Sequence, residues 1–379
     1  MDINEARSEI NRIDDRILEL FSRRMEIGKI IGKIKEHNHL PIENIERERE
    51  ILLNITRNSG EDLQSCARIL FSTLFELSKS YQRRSSSSAG NFADGILESL
   101  NNTPKLFPAS AKVGCCGVPG AYAHLAADRL FQLADITCFN DFNAVFQAVE
   151  KNLCQYGILP IENSTSGTID QVYDLMLDHR FHIVRSCRLQ VRHSLLLPPG
   201  SSIRDIREVI SHEQGLKQCG RFLETLGNVK RSTATSTAMA AKIVSTSGRK
   251  DLAAIASVEC AGIYNLAVGA NNIQDRDSNY TRFICISRHP EIYPGADRIS
   301  IMGVLPHKPG SLYRLLARFA VLGINLTKLE SRPQRNENFE YTFYFDFEAS
   351  MADPEVRNLL AELTADGGKF TFLGNYNEI

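Results

Sequence analysis

The chain has 379 residues, 43% of them hydrophobic and 23% charged, and its 44 Lys and Arg nearly balance 45 Asp and Glu. That is the composition of a globular protein long enough for two or three domains, and it excludes a general electrostatic pull toward nucleic acid or a membrane surface. Nine scattered cysteines without a Cys-x-x-Cys pair, no apolar leader pattern and no membrane-length apolar run lead to an expected cytoplasmic location, and no His-x-x-x-His spacing offers a metal site.

Residues 1 to about 84 read as helix throughout. Ile10, Ile13, Ile17, Leu20, Arg24, Ile27, Ile31 and Ile34 recur in steps of three and four, the seam of a first helix that runs to about Glu36. Pro41 marks a turn, and further helices start near Asn44 and Glu61. At 1.5 Å per residue the first helix is about 48 Å long, whereas a compact unit of 85 residues is only about 30 Å across. One copy cannot cover it, so this segment is expected to dimerise, each long helix burying the other's overhang.

Arg24 interrupts the seam. A buried guanidinium is costly without an anionic partner. Arg24 therefore lays its stem along the seam and reaches solvent, pairs with an acidic side chain of a neighbouring helix, or meets an anionic ligand. Lys35, eleven residues on, points the same way within about 20° and can close on one ligand with it. Arg7 is about 25 Å away along the axis and rotated off that face, so it joins such a site only from a partner chain. Arg47 and Glu48 open the second helix. Phe71, Phe75, Ser78 and Gln82 form one ridge of the third, two phenylalanines leading into two hydrogen-bonding groups.

Residues 85–110 lose periodicity and read as a Ser-, Gly- and Pro-containing linker, with one weak helical turn at 95–100. From 111 to 290 short strands, near 113–116, 136–139, 156–161, 182–191, 194–197, 209–211, 253–256 and 283–287, alternate with helices. This is an α/β layer grammar, long enough for two lobes with a cleft between them. Pro160, Ile161, Glu162, Asn163 and Ser164 end a strand and run through Thr165, Ser166, Gly167 and Thr168 toward a helix; Thr235, Ser236 and Thr237 open another. Hydroxyls and free N–H groups at helix starts bind anions without a basic side chain, or serve as plain caps. His212 reads either as an acid or as a strand end and helix cap, and Thr281 opens a strand followed by Arg282 and Phe283.

From 297 to 379 the order is strand, helix, strand, strand, helix, strand, the α+β ferredoxin-like plan. Phe339, Tyr341, Phe343, Phe345 and Phe347 alternate strictly and make one sheet face aromatic, to be covered by the two helices as core. His307 to Leu312 form the first strand-to-helix turn, where Gly310 lets a ligand approach backbone N–H groups, and Glu330, Ser331 and Arg332 end the second strand.

These motifs carry three resemblances. Residues 3–84 resemble the all-helical class of chorismate mutases. This implies that Arg24, Arg47 and Arg7 of the other subunit bind substrate carboxylates, that Lys35 and Gln82 contact the ether oxygen, that Glu48 meets the ring hydroxyl and Ser78 a carboxylate. Asn44 stands where that family usually has aspartate. Residues 112–288 resemble prephenate dehydratases through Gly117 to Tyr122, Pro160 to Ser164, Ser211 to Gln214 and Asn279 to Phe283. This implies a two-lobed, periplasmic-binding-like domain with Thr281 catalytic, and Glu162, Asn163, Ser164, Thr165, His212, Ser236, Thr237, Arg282 and Phe283 about the substrate. Residues 299–374 resemble an ACT regulatory domain, which implies phenylalanine binding at Gly310, Leu312, Glu330, Ser331 and Arg332; Ser311 and Tyr313 depart from the commoner Ala and Val.

Together the resemblances imply a multidomain enzyme of phenylalanine biosynthesis that needs no cofactor. It would take chorismate to prephenate and prephenate to phenylpyruvate, answer to phenylalanine, and work as a dimer or tetramer. One rival is a dehydratase preferring arogenate, with an altered mutase. The other is a non-catalytic amino-acid sensor, against which the joint retention of Thr281, Lys35 and Gln82 argues.

Overall fold

The computed structural model describes residues 2–38, 40–41, 44–83, 87–307, 309–333, 341–365 and 370–379. Lys308 of the first strand-to-helix turn and Phe339 of the aromatic row lie outside the described residues. The chain divides into two compact units, one of residues 1–98 with 301–372 and the other of 99–300 with 373–379.

The helical part of the first unit comprises α1 (Ile3–His37), α2 (Ile45–Asn58) and α3 (Gln64–Arg83). A capping box opens α1: the Asp2 carboxylate accepts from the N–H groups of Asn4 and Glu5, while Glu5 accepts from the Asp2 N–H. Asn44 caps α2 by accepting the Arg47 N–H at 3.0 Å, so the residue that departs from the mutase pattern has a capping role. Helices α1 and α2 both pack on α3. Within α1 only Met25 and Gly28 are buried, and the seam isoleucines with Leu20 are 42% to 59% exposed. A single chain leaves the seam uncovered, as the length argument requires.

The expected linker is different. Residues 87–102 form α4 (Ser87–Asn102), far longer than the single turn that the sequence supported. Phe92 meets Phe372 edge-on at 5.9 Å and Ile96 is buried, so tertiary packing extends a locally weak helix.

In the second unit the chain builds a first lobe from β1 (Ser110–Cys116), α5 (Tyr122–Leu130), β2 (Leu133–Phe139), α6 (Phe142–Glu150), β3 (Tyr156–Asn163), β4 (Gly167–Thr168), α7 (Asp170–His179) and β5 (His182–Gln190). It crosses to a second lobe of β6 (Ser194–Leu197), β7 (Glu208–Ser211), α8 (Glu213–Gln218), α9 (Gly220–Thr225), β8 (Lys230–Thr233), α10 (Thr237–Thr246), β9 (Leu252–Ala256), α11 (Glu259–Ile263) and β10 (Ala267–Ala270). It then returns as β11 (Tyr280–Ser287). The sheets run β2-β1-β3-β11-β5, with β4 on β3, and β10-β6-β9-β7-β8. Each has its own apolar core, around Val113, Ile158 and Cys285 in the first lobe and Leu195, Val209 and Ile255 in the second.

The hydroxyl-rich run after Ser164 does not cap a helix, contrary to the sequence expectation. It turns back as a small hairpin, pairing Glu162 with Thr168 and Asn163 with Gly167, and α7 starts behind Ile169 with no side-chain cap. Gly167 takes φ +80°, a left-handed conformation that favours glycine and allows this reversal.

The C-terminal elements are β12 (Arg298–Val304), α12 (Ser311–Val321), β13 (Asn325–Pro333), β14 (Tyr341–Glu348), α13 (Pro354–Ala365) and β15 (Phe370–Tyr376), in the sheet order β13-β14-β12-β15. That is the ferredoxin-like order. Phe345 and Phe347 are fully buried, and Phe319 of α12 lies tilted at 5.0 Å from Phe347, so the end of the aromatic row is core, whereas Phe343 is half-buried and Tyr341, at the start of β14, is 39% exposed, contrary to the expectation for the whole row. The opposite face of β14 buries Thr342, Tyr344 and Asp346 as well.

Candidate active site

In the helical unit a cleft of about 320 Å³ opens between α1 and α3, lined by Leu20, Arg23, Arg24, Ile27, Gly28, Ile31, Ser78 and Gln82. Glycines bring the helices together: a Cβ on Gly28 would lie 2.8 Å from Ser78 Oγ, and one on Gly32 3.0 Å from Gln82 Cγ. Of the alternatives open for Arg24, the structure selects neither solvent nor an acidic neighbour. Its Nη1 donates to the Leu74 carbonyl at 3.0 Å and its guanidinium lies over the Phe75 ring at 5.7 Å. Burial draws its pKa down. One carbonyl uses one of five N–H donors, and the rest of the fork faces a cleft fit for a carboxylate. Gln82 lies 3.4 Å from Ser78 Oγ through Nε2, with Oε1 buried and without a hydrogen-bond partner. Turning the carboxamide over would let Oε1 accept from Ser78 and present Nε2 to an ether oxygen.

The other mutase candidates do not line this cleft. Lys35 is half-buried, about 16 Å farther along α1 than Arg24 at 1.5 Å per residue. Arg7 is exposed, as its expected contribution to a partner's site requires. Arg47 is solvent-exposed and pairs with Glu50 at 2.6 Å. Glu48 lies 3.3 Å from Lys79, which also meets Glu76 at 2.6 Å. Lys79 is a buried ammonium between two carboxylates that the three-and-four ridge through Ser78 and Gln82 skips.

In the second unit β3 and β11 run antiparallel with Thr281 opposite Asn163. The backbone N–H groups of Thr165 and Ser166 each donate to Asn163 Oδ1 at 2.9 Å, and Ser166 Oγ donates at 3.1 Å. A backbone N–H can only donate, so the carboxamide orientation is fixed. Asn163 Nδ2 then points at Asn279 Oδ1 (2.8 Å), the Tyr280 carbonyl (3.2 Å) and Thr281 Oγ1 (2.9 Å). Thr281 Oγ1 accepts there, which leaves its hydrogen to be donated elsewhere. Thr281 is 8% exposed, and Asn163 and Asn279 are buried with it. Ser164 Oγ donates to the Ser278 carbonyl and accepts the Tyr280 N–H, both at 2.9 Å, fastening the hairpin to β11. Thr165 Oγ1 reaches Asn279 Oδ1 at 3.4 Å.

Several residues carried as substrate contacts have other tasks. Arg282 is buried, with Nε 3.1 Å from Glu378 and Nη2 donating to the Tyr376 hydroxyl at 2.6 Å, so it anchors the C-terminal segment. Phe283 is 2% exposed in the first lobe's core and is not presented to a ligand. His212 caps α8, its Nδ1 accepting the Gln214 N–H at 3.2 Å, and its ring is exposed. Ser236 caps α10 by accepting from Met239 N at 3.0 Å, with Thr237 the first helical residue. Glu162 is half-buried on β3, in register with Arg282. Sequence reasoning missed Asn279 and Gln218, whose Oε1 accepts from Asn279 Nδ2 at 3.1 Å. Asn279 was legible, two residues before Thr281 in one motif; Gln218 had no sequence signal.

Gly310 takes φ +79° and caps α12, while Arg314 Nη2 donates to Ser311 Oγ at 3.1 Å. Leu312 is half-buried on α12. Glu330, Ser331 and Arg332 lie on β13 at the sheet edge, with Glu330 3.3 Å from Lys328.

The family profile for prephenate dehydratase matches residues 113–291, and that for chorismate mutase type II matches residues 6–83. Arogenate dehydratase/prephenate dehydratase 1, chloroplastic, of Arabidopsis thaliana is 45% identical over 277 residues, 69% of this chain and 70% of that protein. Two solved structures share the fold at a TM-score of 0.64. One is prephenate dehydratase from Arthrobacter aurescens in complex with L-Phe, 27% identical, covering 70% of this chain and 90% of that one. The other is GqqA, described as a novel type of quorum quenching acylase, 28% identical, covering 70% and 98%. With a type II chorismate mutase segment ahead of the matched dehydratase segment, the chain belongs to the prephenate dehydratase family.

Proposed function

We propose that this chain performs two consecutive reactions, with the cleft around Arg24 rearranging chorismate and the Asn163–Thr281 pair serving the product. The chain is a chorismate mutase and a prephenate dehydratase. The observation that carries the site assignment is the Thr281 hydroxyl, fixed as an acceptor toward Asn163 and therefore a donor toward its other side.

The first reaction is pericyclic. One carbon–oxygen bond breaks as one carbon–carbon bond forms, and no nucleophile is needed. Arg24 holds a carboxylate and the folded conformer, and Gln82 meets the ether oxygen as negative charge develops there. Lys35, which does not line the cleft, would reach the same oxygen from beyond its end on a four-carbon stem, and Ser78 orients the other end. The exposed isoleucine seam supports dimerisation, which would bring the partner's Arg7 to the cleft. In the second reaction the carboxylate leaves as carbon dioxide, its bonding pair enters the ring, and the ring hydroxyl departs with its own pair. Aromatisation drives both cleavages. The departing oxygen needs a hydrogen-bond donor, and Thr281 supplies one; a hydroxyl of high pKa positions and polarises better than it protonates.

The turn at Gly310 and the strand end at Glu330 to Arg332 would take phenylalanine as an inhibitor, a reading supported by the L-Phe complex of the Arthrobacter aurescens protein. Arogenate is the alternative second substrate, favoured by the name of the Arabidopsis relative. All nine cysteines are free, which suits a reducing compartment and the cytoplasm. Among the described residues no helix is long and apolar enough to cross a membrane.

The test follows chorismate loss and phenylpyruvate formation by the purified full chain, with and without phenylalanine, beside parallel assays on prephenate and arogenate. Conversion to phenylpyruvate that phenylalanine suppresses supports the reading. Turnover of arogenate alone replaces the substrate, and absent chorismate loss removes the mutase site.

A further inference from the structure

The chain passes between the two lobes of the second unit twice, at 191–193 and at 271–279, and the two crossings are bonded to each other. Val191 N donates to the Asn279 carbonyl at 2.8 Å, His193 N to Gln274 Oε1 at 3.0 Å, and Ile273 N to the His193 carbonyl at 2.9 Å. His193 stands in the first crossing and is 2% exposed. Its Nε2 lies 2.9 Å from Gln218 Oε1.

The tautomer follows from the network. The Thr165 and Ser166 amides fix Asn163, Asn163 Nδ2 fixes Asn279 Oδ1, and Asn279 therefore presents Nδ2 to Gln218 at 3.1 Å. The Gln218 atom that meets it must be an acceptor, so it is Oε1. An Nε2 facing that same oxygen must carry hydrogen. Burial pulls His193 below the usual histidine range, which keeps the ring neutral and Nδ1 bare. Nδ1 is buried and has no hydrogen-bond partner.

We propose that His193 is a positioning residue for the dehydratase step, acting as the neutral Nε2–H tautomer through Gln218, Asn279 and Asn163 on the direction of the Thr281 hydroxyl. It touches no reacting atom. Its donation holds Gln218 Oε1 where Asn279 Nδ2 can reach it. Asn279 Oδ1 is then held where it competes for Asn163 Nδ2, and that competition sets the geometry offered to Thr281 Oγ1. Because His193 and Asn279 occupy opposite crossings, the network fixes the hinge and the hydroxyl together. The proposal rests on the reading that Thr281 faces the substrate.

The experiment uses the full chain with His193→Gln, His193→Asn and His193→Leu. The Gln side chain places an N–H near the position of Nε2, whereas the shorter Asn and the apolar Leu do not. For Asn and Leu we expect dehydratase kcat to fall about 10- to 100-fold, as for a modest misplacement of a reacting group, with KM for prephenate little changed. Gln should recover most of kcat. Mutase turnover of the same preparations should stay at the parental value and reports that the chain is intact. Histidine nitrogen NMR of the parent should show Nε2 protonated and Nδ1 bare at neutral pH.

Equal kcat in the parent, Gln and Asn variants would overturn the proposal, and so would an Nδ1–H tautomer. A loss shared by Gln and Asn with only lowered thermal stability would mean structural packing and would overturn it too. Thr281→Val separates the two levels. If that variant keeps dehydratase activity, the site reading itself fails; if it is inactive while His193→Asn turns over like the parent, only the positioning role fails.

Discussion

Replacing Asn163 by Asp changes no volume and one kind of atom, which makes it a sharp probe of the dehydratase site. The three interactions that Oδ1 accepts, from Thr165 N, Ser166 N and Ser166 Oγ, survive. The donor does not. A second carboxylate oxygen would face Asn279 Oδ1 at 2.8 Å and the Tyr280 carbonyl at 3.2 Å, oxygen against oxygen, in a buried place. The Tyr280 carbonyl keeps the Ser164 N–H at 2.8 Å and Asn279 Oδ1 keeps the Thr165 hydroxyl at 3.4 Å, so the loss is of one buried donor's bonds and unfolding free energy should drop by about 1–3 kcal/mol. The same oxygen would lie 2.9 Å from Thr281 Oγ1 and accept its hydrogen, turning the hydroxyl inward. Losing one aimed donor costs about 100- to 1,000-fold in kcat. The pH course is the distinctive part. Burial and the surrounding oxygens raise the pKa of the new carboxyl, and its protonated form restores a donor, so dehydratase activity should partly recover as pH falls. The assay is phenylpyruvate formation from prephenate across pH, with mutase turnover as the internal control and urea unfolding for stability. A variant that matches the parent at neutral pH, or loses activity further on acidification, would refute this account of how Thr281 is aimed.

Lys35→Ala should remove about 3 kcal/mol or more of transition-state stabilisation from the mutase by analogy with an oxyanion donor, and leave dehydratase turnover alone; unchanged chorismate loss would dismiss the lysine. Glu330→Ala should raise the phenylalanine concentration needed for inhibition, and equal sensitivity in titrations would move the effector site elsewhere. Ile17→Asp puts a charge into a seam residue that is 59% exposed in one chain; sedimentation should show a smaller assembly and mutase activity should fall, whereas an unaltered assembly would place the interface elsewhere. Burial first, and then neighbouring His289, lower His182 from 6.5 to about 4. Between those values the unfolded chain binds a proton that the folded chain refuses. Its contribution of about 3 kcal/mol is therefore full above pH 6.5 and lost as pH falls toward 4. Urea midpoints of His182→Gln should be flatter across that window, and a slope equal to the parent's would exclude His182 as its source.

Helix and strand periodicity made most elements legible because they obey one rule over many residues: α1 shows its seam in eight positions, and β14 shows its row in alternate aromatics. The misses share a different cause. Helix α4 is locally weak, and what makes it a helix is Phe92 meeting Phe372, 280 positions away in the chain. Strand β4 has two residues, too few for any period, and exists because Gly167 reverses the chain onto β3. The dehydratase site was half legible for the same reason. Asn163, Asn279 and Thr281 belong to recognisable motifs, but Gln218 ends an ordinary amphipathic turn and His193 follows Val191 and Arg192 without pattern. Both acquire a role only where the two crossings meet. Arg282 and Phe283 failed in the opposite sense: a motif vouched for their presence, while burial against Glu378 and in the first lobe's core decided what they do.

The two sites differ in charge because the two reactions differ in what opposes them. The mutase must fold a flexible dianion and accept negative charge on an ether oxygen, with no change of aromaticity to help, so cations belong there. In the proposed mutase site Arg24 would meet that need at a tolerable cost: Leu74 satisfies one N–H and Phe75 covers one face, which leaves the rest of the fork available to a carboxylate. The dehydratase has a large driving force in the forming arene, and its difficulty is timing, since carbon dioxide and hydroxide must leave together. A neutral donor held from behind serves that purpose, because an amide–hydroxyl network changes its ionisation over no accessible pH and a cation would bind product carboxylate as readily as substrate. Buried, unionised and satisfied on every side but one, the Thr281 hydroxyl has a single direction in which to give its hydrogen. The residues that set this direction come from β3, β11, α8 and both crossings, so dehydratase activity should report the integrity of the whole hinge.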